Sequence, residues 1–303
     1  MRVASAQLAI DPSRSFDANV AAIVAFIAEA KTKGVELVVF PEAALTTYVV
    51  PVVEVLCRDA EGRAQIAEAE RTVRDACREH AVAAVIGMPF VDTISGNCYN
   101  SACVIDETGR VIGRHHKMQL VPPDESWSVA GTAVQVFVVR GVSIGVVICH
   151  DTRYPELTRL PVLKGARLIC YISCEQWHDD LPLVSGLRAP AWSAERLAAE
   201  RRVYLAQNQA RAVENRVWLI KSNVPRAPLA CADKTLGSHG QSCVIDPTGM
   251  VVAHASSDAA EELVCATIDV DAASALYATK SLRPGYALNR WWKAALGDVT
   301  VVR

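Results

Sequence analysis

Short runs of β-branched and other apolar residues alternate along this chain with longer stretches of helical period. Arg2–Leu8 alternates like a half-buried strand, and Ser15–Lys31 sets Ala and Ile on one face of a predicted helix. The run GVELVVF, residues 34–40, has the length and β-branched content of a buried strand. Residues 61–80 predict a charged, Ala-rich helix. Ala81–Gly87 predicts another strand, and Tyr99–His115 a hairpin turning at Asp106-Glu107-Thr108-Gly109. Residues 118–132, rich in Pro, Ser and Gly, read as a loop. A β-α-β pattern then recurs in Val142–Ile148, a helix from Arg153, and Ala166–Ile172. It is followed by the helix Ala194–Val213, the strand Val217–Ser222 and the hairpin Gln241–Ala253.

The second half echoes the first. SACVIDETGRVI (101–112) and QSCVIDPTGMVV (241–252) match at a displacement of 140 residues, and GVELVVFPE (34–42) echoes GARLICYIS (165–173) at 131. Two copies of a β-α-β-α-β-hairpin unit imply two similar mixed sheets, each with helices on one face. The other apolar face of each sheet needs a cover, and packing the sheets together supplies it. The predicted fold class is therefore α/β, a four-layer α-β-β-α sandwich forming one domain over residues 1–270.

Candidate chemistry gathers where apolar runs stop. Val142–Ile148 ends at Cys149-His150-Asp151, and Tyr154-Pro155-Glu156 opens a helical pattern. A cysteine at a strand tip just before a helix N-terminus has unpaired backbone N–H groups to stabilise its thiolate. The N–H of His150 is placed to face an oxyanion. The competing reading, a buried structural thiol, applies to most of the ten cysteines. Phe40-Pro41-Glu42 ends a strand with a carboxylate, Lys117 follows Arg114-His115-His116, and Glu125 lies eight residues later.

Glu42 in FPE, Lys117 in RHHKMQL, Glu125 in PPDE and Cys149 in ICHDTRYPE resemble, in order and spacing, the nitrilase superfamily of carbon–nitrogen hydrolases. The amidase branches are closest in spacing, and the resemblance covers about residues 2–268. It implies the same sandwich fold and residues 1–270 as a carbon–nitrogen hydrolase domain. Cys149 is then the nucleophile, Glu42 the base, and Lys117 the oxyanion donor. Glu125 orients Lys117 and the attacking water, with the adjacent Asp124 as the alternative acid. Asp151, Arg153 and Glu156 are expected to make salt bridges that hold the nucleophile turn. Arg211, Glu214 and Asn215 match a family pattern that packs beneath the site. His150 is either a substrate contact or a polar rim residue.

Two departures from the family pattern bear on substrate. Gln119 stands where many relatives have histidine, and residues 174–193 differ from the family's pocket segments. The stretch Cys174-Glu175-Gln176-Trp177-His178-Asp179-Asp180 reads either as a solvated loop or as a pocket wall. In the second case Glu175 and Trp177 would bind a substrate cation remote from the scissile bond.

Composition narrows the classes further. At 303 residues and 51% hydrophobic the chain can bury a large core. Its net charge of −2 gives no footprint for nucleic acid, and no apolar run is long enough to span a membrane. With no signal-peptide pattern after Met1, a cytoplasmic protein with reduced thiols is expected. Neither the cysteine nor the histidine spacings form a metal-ligand pattern, and no metal or organic cofactor is expected. Residues 271–303 carry Tyr286, Trp291 and Trp292 beyond the repeats. Such an extension suits an interface, and the family resemblance implies a homodimer or higher homo-oligomer.

The leading functional expectation is cysteine-dependent hydrolysis of a carbon–nitrogen bond in a small linear amide or N-carbamoyl compound, through a thioester. A nitrilase reaction ranks second, because true nitrilases usually carry tryptophan and glutamate directly after the cysteine, where this chain has His150-Asp151. A catalytically silent binding protein on the same fold is the third reading. The presence of all four catalytic candidates argues against it.

Overall fold

The computed structural model describes residues 1–10, 15–177, 194–225, 228–231 and 234–303. The first half runs β1 (Arg2–Gln7), α1 (Phe16–Thr32), β2 (Leu37–Val39), α2 (Val50–Arg58), α3 (Ala60–His80), β3 (Ala83–Val91), β4 (Cys98–Ile105) and β5 (Val111–His116). A single helical turn, α4 (Pro122–Glu125), interrupts the expected loop at 118–132. Then come β6 (Val134–Val139), β7 (Val142–Ile148), α5 (Pro155–Leu163), β8 (Leu168–Ile172), β9 (Gln176–Trp177), α6 (Ala194–Asn215) and β10 (Trp218–Ser222). The chain closes with β11 (Pro228–Cys231), β12 (Lys234–Ser238), β13 (Cys243–Ile245), β14 (Val251–His254), β15 (Glu262–Thr267), α7 (Leu276–Ser281), α8 (Asn289–Ala295) and β16 (Val299–Val302).

Two mixed sheets result, in the orders β15-β1-β2-β3-β4-β5 and β14-β13-β10-β8-β7-β6-β16. Apart from β16 they share one pattern. β1 and β7 are antiparallel to β15 and β6, the next two pairings are parallel, and a hairpin closes each sheet. The likeness reaches irregularities: the ladder shifts register between Val104 and Ile105 and again between Val244 and Ile245. Each hairpin turn is closed by an aspartate, Asp106 or Asp246, whose Oδ1 accepts the N–H groups two and four residues on.

The period of two decides which face meets what. In the first sheet Val3, Leu37, Val39, Ala83, Val85, Ala102 and Val104 join the core shared with the second sheet. Their neighbours Ala4, Val38, Ala84, Ile86 and Cys103 pack instead with Ile23 and Ile27 of α1 and Ile66 and Val73 of α3. The Ser15 hydroxyl caps α1 by accepting Ala18 N–H at 3.2 Å. The sheets are pinned where their middles meet: Ser222 Oγ donates to Ala6 O at 2.6 Å, and Ser5 Oγ donates to Lys221 O.

In the tail, β16 lies parallel to β6, pairing Val299 with Val134 through Val302 with Phe137. Tyr277, Tyr286 and Trp291 are exposed. Among the described residues no helix is long and apolar enough to cross a membrane.

Candidate active site

The carboxyl ends of β2 and β7 and the end of β5 converge, as their places in the two sheets require. Glu42 follows β2 and Phe40, and Gly87 of β3 makes room for it. A Cβ on Gly87 would lie 2.4 Å from Pro41 O and 2.5 Å from Glu42 Cα, so only glycine admits that approach. Ala43, directly after Glu42, takes φ 54°, and Cys149, directly after β7, takes φ 47°. Left-handed backbone at a non-glycine residue is strained, and here it turns the chain sharply at both strand ends.

Four buried side chains form a closed square. Lys117 Nζ stands 2.8 Å from Glu42 Oε1 and 2.7 Å from Asp124 Oδ2. Asn100 Nδ2 donates to the same Glu42 oxygen at 2.8 Å and to Asp124 Oδ1 at 3.2 Å. None of the four is more than 1% exposed. Tyr48 donates its hydroxyl to Asp124 Oδ1 at 2.6 Å, and its ring faces the Lys117 ammonium. Burial alone would lower the Lys117 pKa, but Glu42, Tyr48, Cys149 and Asp124 together hold it well above its usual value. The ammonium is permanent.

The second acid paired with Lys117 is therefore Asp124 and not the expected Glu125. The two are consecutive in α4, so their side chains diverge, and only Asp124 turns inward, where it also accepts Val121 N–H at 3.2 Å. Glu125 is exposed. Asn100 was not among the sequence candidates. Its signal was a poor strand former within the strand CYNSACVI, residues 98–105.

Cys149 begins a 3-10 turn, Cys149–Arg153, and α5 starts at Pro155, where the sequence sets it, so this turn stands between the nucleophile candidate and the α5 N-terminus. Burial pushes its thiol pKa well up, Glu42 adds to this, and Lys117 and a hydrogen bond from Ser173 partly offset it. Among the described residues Asp151 makes no salt bridge; buried, it accepts the N–H groups of Gln119 at 2.7 Å and Met118 at 3.2 Å, which ties the Lys117 segment to the nucleophile turn. Arg153 likewise pairs not with an acid but with His150 Nδ1 at 3.1 Å and the Tyr204 hydroxyl at 3.0 Å. That bond leaves the neutral His150 ring with its proton on Nε2, and burial followed by Arg153 lowers its pKa. Arg211 does pack beneath the turn, donating to Thr152 O at 2.9 Å and pairing with Glu214 at 3.1 Å.

Glu175 is not a free acid facing a substrate. It is 2% exposed and pairs with the buried Lys221 at 2.9 Å, and Tyr171 donates to its other oxygen at 2.8 Å. Its charge is already matched, which removes the basis for cation recognition. The side chain of Trp177 and all of residues 178–193 lie outside the described residues.

A buried carboxylate and ammonium beside a partly buried thiol, at the rim of a two-sheet sandwich, define a hydrolase-type centre. The chain belongs to the carbon–nitrogen hydrolase family, whose model matches residues 2–277, and it acts on carbon–nitrogen bonds. It is 32% identical over 195 residues to a protein of Staphylococcus lugdunensis described as hydrolase in agr operon, covering 60% of this chain and 71% of that one. It is 25% identical over 253 residues to a formamidase of Pseudomonas syringae pv. tomato, covering 82% of this chain and 65% of the formamidase. In fold it resembles an amidase from Nesterenkonia sp., with a TM-score of 0.73 at 23% identity, covering 96% of both chains.

Proposed function

We propose that the protein hydrolyses a small linear amide or N-carbamoyl compound through a thioester on Cys149. The observation that carries this reading is Lys117 held between Glu42 and Asp124 with no exposure, in electrostatic contact with the Cys149 thiol. A buried lysine and two carboxylates cost more than they return unless they serve chemistry. Formamidase and amidase relatives support an amide as substrate.

In the first half-reaction the Cys149 sulfur attacks the carbonyl carbon while Glu42 takes the thiol proton. Glu42 Oε1 is occupied by Lys117 and Asn100, whereas among the described residues Oε2 accepts only the Cys174 N–H, at 3.0 Å. Oε2 is therefore the oxygen free to receive the proton. The Lys117 ammonium stabilises the negative charge that develops on the carbonyl oxygen. Glu42 returns the proton to the departing nitrogen, and ammonia or an amine leaves. Water, deprotonated by Glu42, then attacks the thioester; the proton goes back to sulfur and the acid is released.

The test is a panel of amides, carbamoyl compounds and nitriles scored by ammonia release, followed by mass spectrometry of the quenched enzyme. We expect an acyl adduct on Cys149 and no turnover in Cys149→Ala. Wild-type-like turnover in that variant would falsify the mechanism. We further propose self-association through the tail, where Tyr277 and Trp291 are more than half exposed. A sedimentation coefficient of a monomer at micromolar concentration removes that part.

A further inference from the structure

One short segment touches both partners of the proton transfer. After β8, Ser173 stands beside Cys149, because β7 and β8 run parallel with Ile148 paired to Ile172, and the next N–H, that of Cys174, donates to Glu42 Oε2 at 3.0 Å. The third residue anchors the segment. Glu175 accepts from Lys221 Nζ at 2.9 Å, from Tyr171 at 2.8 Å and from Asn223 Nδ2 at 3.3 Å, and its own N–H donates to Asn223 Oδ1 at 3.0 Å. Every one of these side chains is buried.

Stability does not explain the pair. A buried ion pair is commonly matched or exceeded in stability by apolar residues of similar volume. What it does supply is direction. The Tyr171 hydroxyl has one proton and two oxygen neighbours, Glu175 Oε1 at 2.8 Å and Ser173 Oγ at 3.2 Å. The shorter bond to an ionised acceptor takes that proton. Ser173 then keeps its own proton, which it can direct to the phenol oxygen or, once the thiol has ionised, to sulfur.

We propose that Ser173 is the hydrogen-bond donor to the Cys149 thiolate, and that the Glu175–Lys221 pair positions Ser173 and the Cys174 N–H against nucleophile and base. This deepens the cysteine reading above and rests on it. Ser173 touches a reacting atom and is a catalytic residue; Glu175, Lys221 and Tyr171 are positioning residues. The internal repeat sharpens the assignment, because Ser173 occupies in the second half the place that Glu42 occupies in the first. The two equivalent strand ends thus meet the same sulfur, one as base and one as donor.

The experiment reads the thiol itself. Alkylation of Cys149 by iodoacetamide, followed on its peptide by mass spectrometry, is measured against pH in wild type, Ser173→Ala and Ser173→Thr. Loss of one hydrogen bond to the thiolate should slow alkylation at neutral pH by about tenfold and move the inflection up by about one unit. In Ser173→Ala kcat should fall by a similar factor with KM little changed, and Ser173→Thr should restore most of both. A Ser173→Ala profile that overlays wild type overturns the proposal. The double variant Glu175→Gln/Lys221→Met removes both charges together and should move the inflection in the same direction at nearly unchanged melting temperature. A folded double variant with the wild-type profile reduces the pair to packing and refutes its positioning role. If that variant does not fold, Tyr171→Phe decides the same point by the same profile. Turnover surviving in Cys149→Ala would sink the cysteine reading itself, a result distinct from any of these.

Discussion

Asp124 Oδ2 stands 2.7 Å from Lys117 Nζ with neither side chain exposed, while the carboxylate of the next residue, Glu125, faces solvent. Asp124→Asn removes one of the two charges that hold the ammonium and leaves it drawn toward Glu42 alone. Since losing an oxyanion donor costs about 10²–10³ in kcat, misplacing Lys117 should cost about 10². Glu125→Gln, a surface change, should leave kcat within about twofold. Steady-state kinetics of the two variants decide it; equal losses would remove Asp124 from its assigned role.

Asn100 Nδ2 holds two carboxylates, those of Glu42 and Asp124. In Asn100→Ala both Glu42 and Asp124 lose a buried donor, at a cost of about 1–3 kcal/mol in stability. Glu42 would also be freer to turn from the thiol. The expected pattern is kcat down by about tenfold or more with KM nearly constant. A raised KM at unchanged kcat would place Asn100 against the substrate instead.

Gly87 sets the position of Glu42 through backbone contact alone. The methyl group of Gly87→Ala would meet Pro41 O, Ala43 N and Glu42 Cα, each at about 2.5 Å or less. The strand end must shift, and a displacement near 1 Å at a catalytic group can cost about 10² in rate. We expect kcat to fall by that order and the melting temperature to drop as well. A fully active Gly87→Ala protein would mean that Glu42 is not the base.

The fold was legible because its signals are periodic. Alternation in β1 to β4 assigns each apolar residue a face, and the matching hairpins at 101–112 and 241–252 disclosed the duplication before any contact was known. Glu42 and Cys149 were legible because each ends an apolar run, and Lys117 only through the order and spacing it shares with them. The Asp124–Glu125 choice was not. Adjacent residues of one helical turn diverge, and only the contact with Lys117 says which turns inward. The Glu175–Lys221 pair was hidden for another reason: its partners are 46 residues apart and belong to different elements. Lys221 inside the apolar strand WLIKS was the available hint, since a buried lysine implies an acid nearby.

Asp151 links the site to a pH dependence of stability. Burial pushes its carboxyl up to about 7, against the N–H groups of Gln119 and Met118, which favour the charged form. In the unfolded chain the group titrates near about 3.9. Between those values the folded protein holds a proton that the unfolded chain has released, so this group makes stability fall as pH rises from about 4 to about 7. Asp151→Asn removes the titration while keeping the shape and one acceptor. Near pH 4 the protonated acid and the amide are alike, and the two proteins should melt at similar temperatures. As pH rises to 7 and beyond, the wild type must bury a charge, and the variant should become the more stable of the two. Melting curves of both proteins at each pH isolate this group, because every other titration is common to them. A melting-temperature difference that stays constant across the range would show that Asp151 is already ionised in the folded state at pH 4.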